Sequence, residues 1–373
     1  MSNLKDLMHA PGAGFEADGD FDKVNALCME KGWGDGLPVV PPTAQRVEAM
    51  LAYCDRPYDD IIGLVAPRYG AATPLRLAAN AVMAGCKPEY FPLIMLTIEA
   101  LCEETFNLYG VNATTHPCST LMVVNGPLAK ELKMNWGHNA FGPGNQANAT
   151  IGRAIRLSML NIGGAIPATG DMATFGSPAK YTFCVAENEE ENPWEPLHVE
   201  LGFARDVSTV TVYGAESPHN VNDHESNTGI GVLKMTAGTV AMTGANNVYF
   251  DGTPLLIFGP EHASMVARDG YSKADVKKFI YEHGRVRLDA FSDENIERRI
   301  RQWPVFKGEF TEAGPDRMVP VMKSAENAHI VVIGGAGKHS AYVPTFGATQ
   351  PITRALKLRS GEFARSVEQF RQK

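Results

Sequence analysis

Apolar residues recur at helical spacing in two early segments, FDKVNALCMEK (21-31) and TAQRVEAMLAYC (43-54), and this period predicts two amphipathic helices. In the second, Val47, Met50, Leu51 and Cys54 share one face and Thr43 stands at the N-cap. The loop between them, GWGDGLPVVPP, places three Gly and three Pro in eleven residues, which stops either helix from running through it. Segments 74-85 and 91-104, rich in Ala, Leu, Ile and Met, predict two further helices packed inside the protein.

From residue 119 onward the pattern changes. STLMVVNGP, VSTVTVYGAESP, TPLLIFGPEHA and AHIVVIGGAGKHS are short β-branched runs that each end in a Gly-containing turn, the signature of buried strands feeding helices. The fold class that follows is α/β, a mixed or parallel sheet with helices on both faces and a helical N-terminal region. The expected division is a helical region 1-110 packed on an α/β body 111-373, which itself breaks near 205-225 if it forms two lobes. SKADVKKFIYEH (272-283) predicts a helix capped by Ser272 with Asp275 in its first turn. A polar stretch 292-318 leads to the last strand and loop, and the basic segment 351-371 predicts a final helix. Gly126-Pro127 and Gly259-Pro260 each follow a strand, and NATIG (148-152) echoes NTGIG (227-231). Together these raise internal duplication as an expectation.

Composition narrows the classes. The chain has 373 residues with 34 Lys+Arg against 42 Asp+Glu, a formal charge of −8, which argues against a nucleic-acid binder needing clustered cations. At 44% hydrophobic it can bury a core, so a disordered tail protein is excluded. The N-terminus lacks the pattern of a signal peptide, and no apolar run reaches 18 residues, so a cytoplasmic protein without a membrane contact is expected. The six Cys are scattered without CxxC spacing, which points to neither a disulfide framework nor a structural zinc site.

Candidate chemistry concentrates between 135 and 203, where Gly-rich turns run among polar residues; long irregular segments of this kind are usually binding loops. Asn139, Gly142, Gly144 and Asn148 precede or open a helix beginning near Asn148 or Thr150. Free N–H groups at that start, with Arg153 in the first turn, suit a carboxylate or phosphate. Further along, YTFCVA runs into AENEEENPWEPLH. Glu187 at the strand end is the leading general acid or base, followed by Glu190, with Lys180 and Trp194 as substrate contacts. His138 is a second proton-transfer candidate. His198 and Asp171 are weak metal-ligand candidates, so the cofactor expectation is none or a divalent metal. Cys118, two residues after His116, and Cys184 are the candidate nucleophiles. VVIGGAGKHS fails the P-loop spacing but suits a looser anion nest, with Gly335, Lys338 and Ser340 as contacts, His339 assisting and Asp35 contributing from the 32-42 loop.

GWGDGLPVVPPT, NAFGPGNQANATIGRA, KYTFCVAENEEENPWEPLH, GPEHASMVARDGYSKADV and VVIGGAGKHSAYVPTFG together resemble the bacterial UGSC-motif (seleno)protein group. The resemblance implies a bacterial cytosolic enzyme related to thiol or selenol chemistry. The Cys-Gly-Ser-Cys motif itself is absent here, and the C-terminal Gly-rich turn carries Lys338-His339-Ser340 without a thiol.

The sequence therefore predicts a hydrolase or lyase that moves protons on a small anionic metabolite, with Arg153 and Lys338 holding the anion. The alternatives are a metal-dependent enzyme, a thiol redox enzyme, or a non-catalytic subunit of a two-component system. The expected partners are the small molecule, further copies of the chain and, for the last alternative, a partner subunit.

Overall fold

Asp20 starts the first helix among the described residues. Its Oδ1 accepts the Lys23 N–H at 3.0 Å and caps α1 (Phe21–Glu30). The structure, a computed structural model, describes residues 20-250, 252-302 and 317-372. These fall into two units: the first holds the described residues through Glu187, His198–Gly214 and those from Pro351 on, and the second holds Asn188–Leu197 and Ala215–Gln350.

In the first unit, α2 (Ala44–Leu51) buries Val47, Met50 and Leu51; Thr43 occupies its N-cap position without a side-chain cap bond. A hairpin, β1 (Gly63–Val65) and β2 (Gly70–Ala72), precedes α3 (Pro74–Ala84), which Thr73 caps and Gly85 ends at φ 86°. The nearly all-apolar α4 (Phe91–Leu101) is buried along most of its length, and α5 (Leu108–Ala113) follows. Then come β3 (Ser119–Asn125), buried throughout, α6 (Pro127–Glu131), α7 (Gln146–Asn161) and β4 (Cys184–Ala186). The unit is completed by β5 (Thr209–Ala215), which runs up to the boundary at Gly214, and β12 (Ile352–Ala355). The sheet order is β12-β5-β3-β4, with β3 and β4 parallel and β12 antiparallel to β5. Because α3 packs along α7, the chain does not divide at residue 110; the helical N-terminal region and β3 to β4 share one unit.

The second unit contains β6 (His219–Asn222), α9 (Gly229–Val240), α10 (Asn246–Tyr249) and β7 (Leu255–Phe258); the short α8 (Leu197–Glu200) precedes them at the boundary. There follow α11 (Pro260–Arg268), α12 (Lys273–His283), β8 (Arg285–Arg287), α13 (Asp293–Gln302), β9 (Met318–Pro320), β10 (His329–Val332) and β11 (His339–Val343). The capping box of Ser272 and Asp275 opens α12 as its sequence predicts. The sheet order is β10-β7-β11-β6. Only β10 and β7 run parallel, and β8 pairs with β9 separately. Leu256, Phe258, Ile330 and Tyr342 from this sheet meet Val232, Val266, Val276 and Ile280 from the helices in one core.

The fold is thus α/β with mixed sheets and helices around them. The predicted terminal helix 351-371 is absent. Residues 352-355 instead ladder onto β5, Gly361 takes φ 91°, and only a short 3-10 turn, Val367–Phe370, is helical. Cross-strand pairing overrides local helix propensity there. Of the polar connector 292-318, residues 303-316 lie outside the described residues.

The two Gly-Pro pairs occupy matching positions. A Cβ at Gly126 would lie 2.6 Å from the Val207 carbonyl oxygen, and one at Gly259 would lie 2.2 Å from that of His339. Ser208 Oγ accepts the Leu128 N–H at 3.0 Å, and Ser340 Oγ accepts the Gly259 N–H at 3.3 Å. The second echo is not placed alike: NATIG lies inside α7, whereas NTGIG spans the Thr228 cap of α9. Gly259→Ala is expected to cost about 1–3 kcal/mol, because the atom it meets is backbone and yields only if β11 moves. Thermal melting of that variant at the wild-type temperature would refute the argument.

Candidate functional site

Several of the residues singled out between 135 and 203 are engaged by other groups of the protein. Arg153, on α7, is clamped by Asp35: Nε to Oδ2 is 2.7 Å and Nη2 to Oδ1 is 2.9 Å, and Nη2 also reaches the Leu37 and Pro38 carbonyls. Burial pushes the Asp35 carboxyl up, but the Arg153 hydrogen bond and charge hold it below its ordinary value. This pair fastens the 32-42 loop to α7, so neither residue is a free substrate contact. Asp171 likewise accepts from Arg156 Nη2 at 2.8 Å and from Lys180 Nζ at 2.6 and 2.7 Å. Lys180 as a substrate contact and Asp171 as a metal ligand are therefore corrected to members of an internal ion cluster.

The predicted anion site at the helix start is filled by protein. α7 begins earlier than expected, at Gln146, and the Asn145 side chain caps it through the Asn148 N–H. Asn148 is buried; it accepts the Asn135 N–H and donates to the Asn135 and Ala140 carbonyls. Asn139 donates to the Pro143 carbonyl, and a Cβ at Gly142 would collide with the Asn139 side chain. Gly144 supplies φ 119° to this turn. The loop is thus folded on itself, with His138 exposed on its surface.

Glu187 is 2% exposed at the end of β4, and its Oε2 accepts the Asn125 amide at 2.6 Å; its position at a buried strand end is as expected. Buried Tyr213 has its hydroxyl pushed well up by burial and then by the Glu187 charge. In the second unit Glu190 is exposed. Trp194 donates Nε1 to the Tyr271 carbonyl and sets its ring edge-on to Phe258, a packing role in place of the predicted substrate contact. His198 is fully buried with Nε2 3.3 Å from the Arg205 carbonyl, so it is a structural histidine and no open metal ligand. Among the described residues no group of three or more His, Cys, Asp and Glu is arranged to hold a metal.

Neither predicted nucleophilic thiol is arranged for that role. Cys118 and Cys184 are both buried, and burial pushes the Cys184 thiol far up. Burial also pushes Cys54 and Cys102 up to about 11 and Cys86 up to about 12. The thiolate form that redox chemistry requires is disfavoured at Cys54, Cys86, Cys102 and Cys184.

The described residues also include a cavity of about 890 Å³ in the first unit, where Arg56, Glu99, Glu103 and Arg354 meet. Its size suits a small ligand. Four of its charges are paired with one another: Arg56 with Glu99 at 2.6 Å and Arg354 with Glu103.

A different cluster assembles where the parallel strands β7 and β10 of the second unit end, the edge at which open α/β sheets carry their ligands. Because β11 is antiparallel to both β7 and β6, its first residues and the last residues of β6 arrive at the same edge. Residues 223-227, 259-262 and 333-340 are brought together there. Gly335 is central to the loop between β10 and β11. The Gly337 N–H in that loop is taken by Glu261 Oε1 at 2.8 Å. Lys338 Nζ donates to the His224 and Ser226 carbonyls at 3.0 Å each and to Asn227 Oδ1 at 3.3 Å, so its ammonium is spent on tying two loops together. The predicted anion nest is therefore bridged by the protein's own carboxylate and lysine.

Two histidine arrangements remain at this edge. Exposed His224 and His339 approach with Nε2 atoms 3.1 Å apart, and His339 Nδ1 lies 2.9 Å from Asn220 Oδ1. An amide oxygen only accepts, so His339 carries its proton on Nδ1. His339 Nε2 then accepts from His224 Nε2–H, leaving His224 Nδ1 as a base. In the first turn of α11, fully buried His262 places Nε2 3.0 Å from the Asp223 carbonyl and Nδ1 2.8 Å from Ser340 Oγ. Ser340, 7% exposed, faces this helix.

Sequence reasoning found His339 and Ser340 but missed Asn220, Asp223, His224 and His262. Their available signal was position: each lies in or just beyond a strand leading to this edge. Register decides which of them face one another.

No protein-family model matches this chain, and no curated protein matches it either.

Proposed function

We propose that the protein is an enzyme performing acid/base chemistry, of hydrolase or lyase type, on a small molecule at the strand-end cluster of its second unit. The observation that carries this reading is the His224–His339 contact, oriented by Asn220 at the edge where β6, β7, β10 and β11 meet. Histidine is the side chain suited to both give and take a proton near neutrality. Here His224 Nδ1 receives the substrate proton. The resulting imidazolium keeps its Nε2–H directed at His339, whose other nitrogen is fixed by Asn220, so the ring is held in one orientation through the transfer. His224 is the catalytic residue in this reading, and His339 and Asn220 are positioning residues. The expected anionic character of the substrate loses its two cations, since Arg153 and Lys338 are both occupied by protein oxygens.

The test is incubation of the purified chain with a defined pool of small metabolites, followed by mass spectrometry for depleted compounds. Wild type is expected to deplete at least one compound, and His224→Gln, which retains a donor but has no titrating base, is expected to do so about a hundredfold or more slowly. Equal depletion by that variant with unchanged melting, or no depletion by wild type, would refute the reading. Wild-type turnover only after a second protein is added would favour a two-component enzyme.

A further inference from the structure

We propose that Ser340 is a nucleophilic centre separate from the His224 site, with His262 as its base, that accepts an acyl group from a small uncharged ester or thioester. The proton positions follow from the partners. A carbonyl oxygen only accepts, so His262 Nε2 must carry the hydrogen directed at the Asp223 carbonyl 3.0 Å away. Nδ1 is then a lone pair, and Ser340, 2.8 Å from it, donates. This is the bond a serine needs for its proton to be removed as it attacks.

The surroundings hold His262 ready for that role. It stands in the first turn of α11, fully buried against β11, and burial moves its pKa down so that the neutral base is favoured. Asp223 is also buried: Oδ1 accepts the Ser226 N–H at 3.0 Å, while Oδ2 is enclosed without a hydrogen-bond partner. Burial pushes the Asp223 carboxyl up, but bonding from Ser226 and the nearby His262 hold it below its ordinary value, so its negative charge is available to favour the imidazolium. Asp223 is a positioning residue here, acting through its carbonyl on ring orientation and through its carboxylate on charge.

In the first step Ser340 Oγ forms a bond to the acyl carbon and its proton passes to His262 Nδ1. The alcohol or thiol leaves with its bonding electrons and takes that proton. Water then attacks the acyl-serine, giving its proton to His262, which returns it to Ser340 as the acid departs. An acyl carbonyl fits better than a phosphoryl group, because the adjacent loop presents the Glu261 carboxylate and Lys338 is already bonded to three oxygens. The centre is distinct from the His224 site: consecutive strand residues point to opposite faces, so Ser340 meets α11 while His339 meets Asn220 and His224.

The experiment treats the full chain with a fluorophosphonate probe and, separately, with p-nitrophenyl acetate, and locates adducts by peptide mass spectrometry. One adduct per chain on Ser340 is expected, with a burst of nitrophenol. Ser340→Ala is expected to lose it, and His262→Gln to form it about a hundredfold more slowly. The wild-type adduct is the primary readout, so the test does not depend on either variant folding. Absence of a Ser340 adduct in natively melting wild type, while a serine esterase is labelled alongside, would overturn the proposal and leave a buried polar bridge. A rate unchanged in folded His262→Gln would overturn the base assignment. Labelling needs no substrate of the His224 site, so the two readings fail separately.

Discussion

Asp171→Ala is expected to lower stability by about 3–5 kcal/mol, the usual cost of removing one partner from a buried ion cluster. The side chains of Asp171, Arg156 and Lys180 are 6%, 11% and 13% exposed, so the two cations left behind are largely cut off from water. The same substitution releases the Ala173 N–H, which Asp171 Oδ1 accepts at 3.2 Å. Denaturant unfolding measures the effect, and a loss below about 0.5 kcal/mol, the range of ordinary surface changes, would show that the cluster does not hold the loop. The pH dependence gives a second check. Burial pushes the Asp171 carboxyl up, but Lys180 and Arg156 outweigh this and hold it below its ordinary value. Its stabilisation is therefore complete above the ordinary aspartate range and lost as pH falls through the folded-state value. The gap between wild type and Asp171→Ala is expected to narrow in acid and stay flat at neutral pH.

Arg153→Leu is expected to cost a similar amount, about 3–5 kcal/mol, because it strands the Asp35 carboxylate and frees the Leu37 and Pro38 carbonyls together. The Asp35 side chain is 5% exposed, so water does little to replace the guanidinium. Adding Asp35→Leu is expected to recover much of the loss, since a buried ion pair replaced by apolar groups is often near neutral. A double variant no more stable than the single one would place the damage in the loop contacts instead of the unpaired charge. Asp35 also sits below its ordinary value because of Arg153, so the wild-type advantage over Arg153→Leu is expected to fade in acid.

The elements whose local pattern and burial agree were readable from sequence. The helices α1 to α4, the capping box of α12 and the strands β3, β5, β7 and β10 fall where period and punctuation put them. The terminal segment was not readable this way, because residues 352-355 are fixed by β5, which lies more than 130 positions earlier in the chain. The site followed the same division. Glu187 at a buried strand end, and His339 and Ser340 beyond a Gly-rich turn, could be picked out as chemically interesting. Arg153, Lys180, Asp35 and Asp171 could all be picked out, but not as partners: Asp35 is 118 residues away from Arg153, while Asp171 is only nine from Lys180 and is reached by a turn that residue types do not specify.

What the sequence determined by itself was the class of fold, the punctuation of its elements and the Gly-rich loops where backbone approaches closely, because these depend on neighbours within a few residues. Only the tertiary structure decided which charges are cancelled and which imidazoles meet. Those outcomes are set by strand order and register: β11 runs between β6 and β7, and that placement alone brings His339 to His224 and Ser340 to His262.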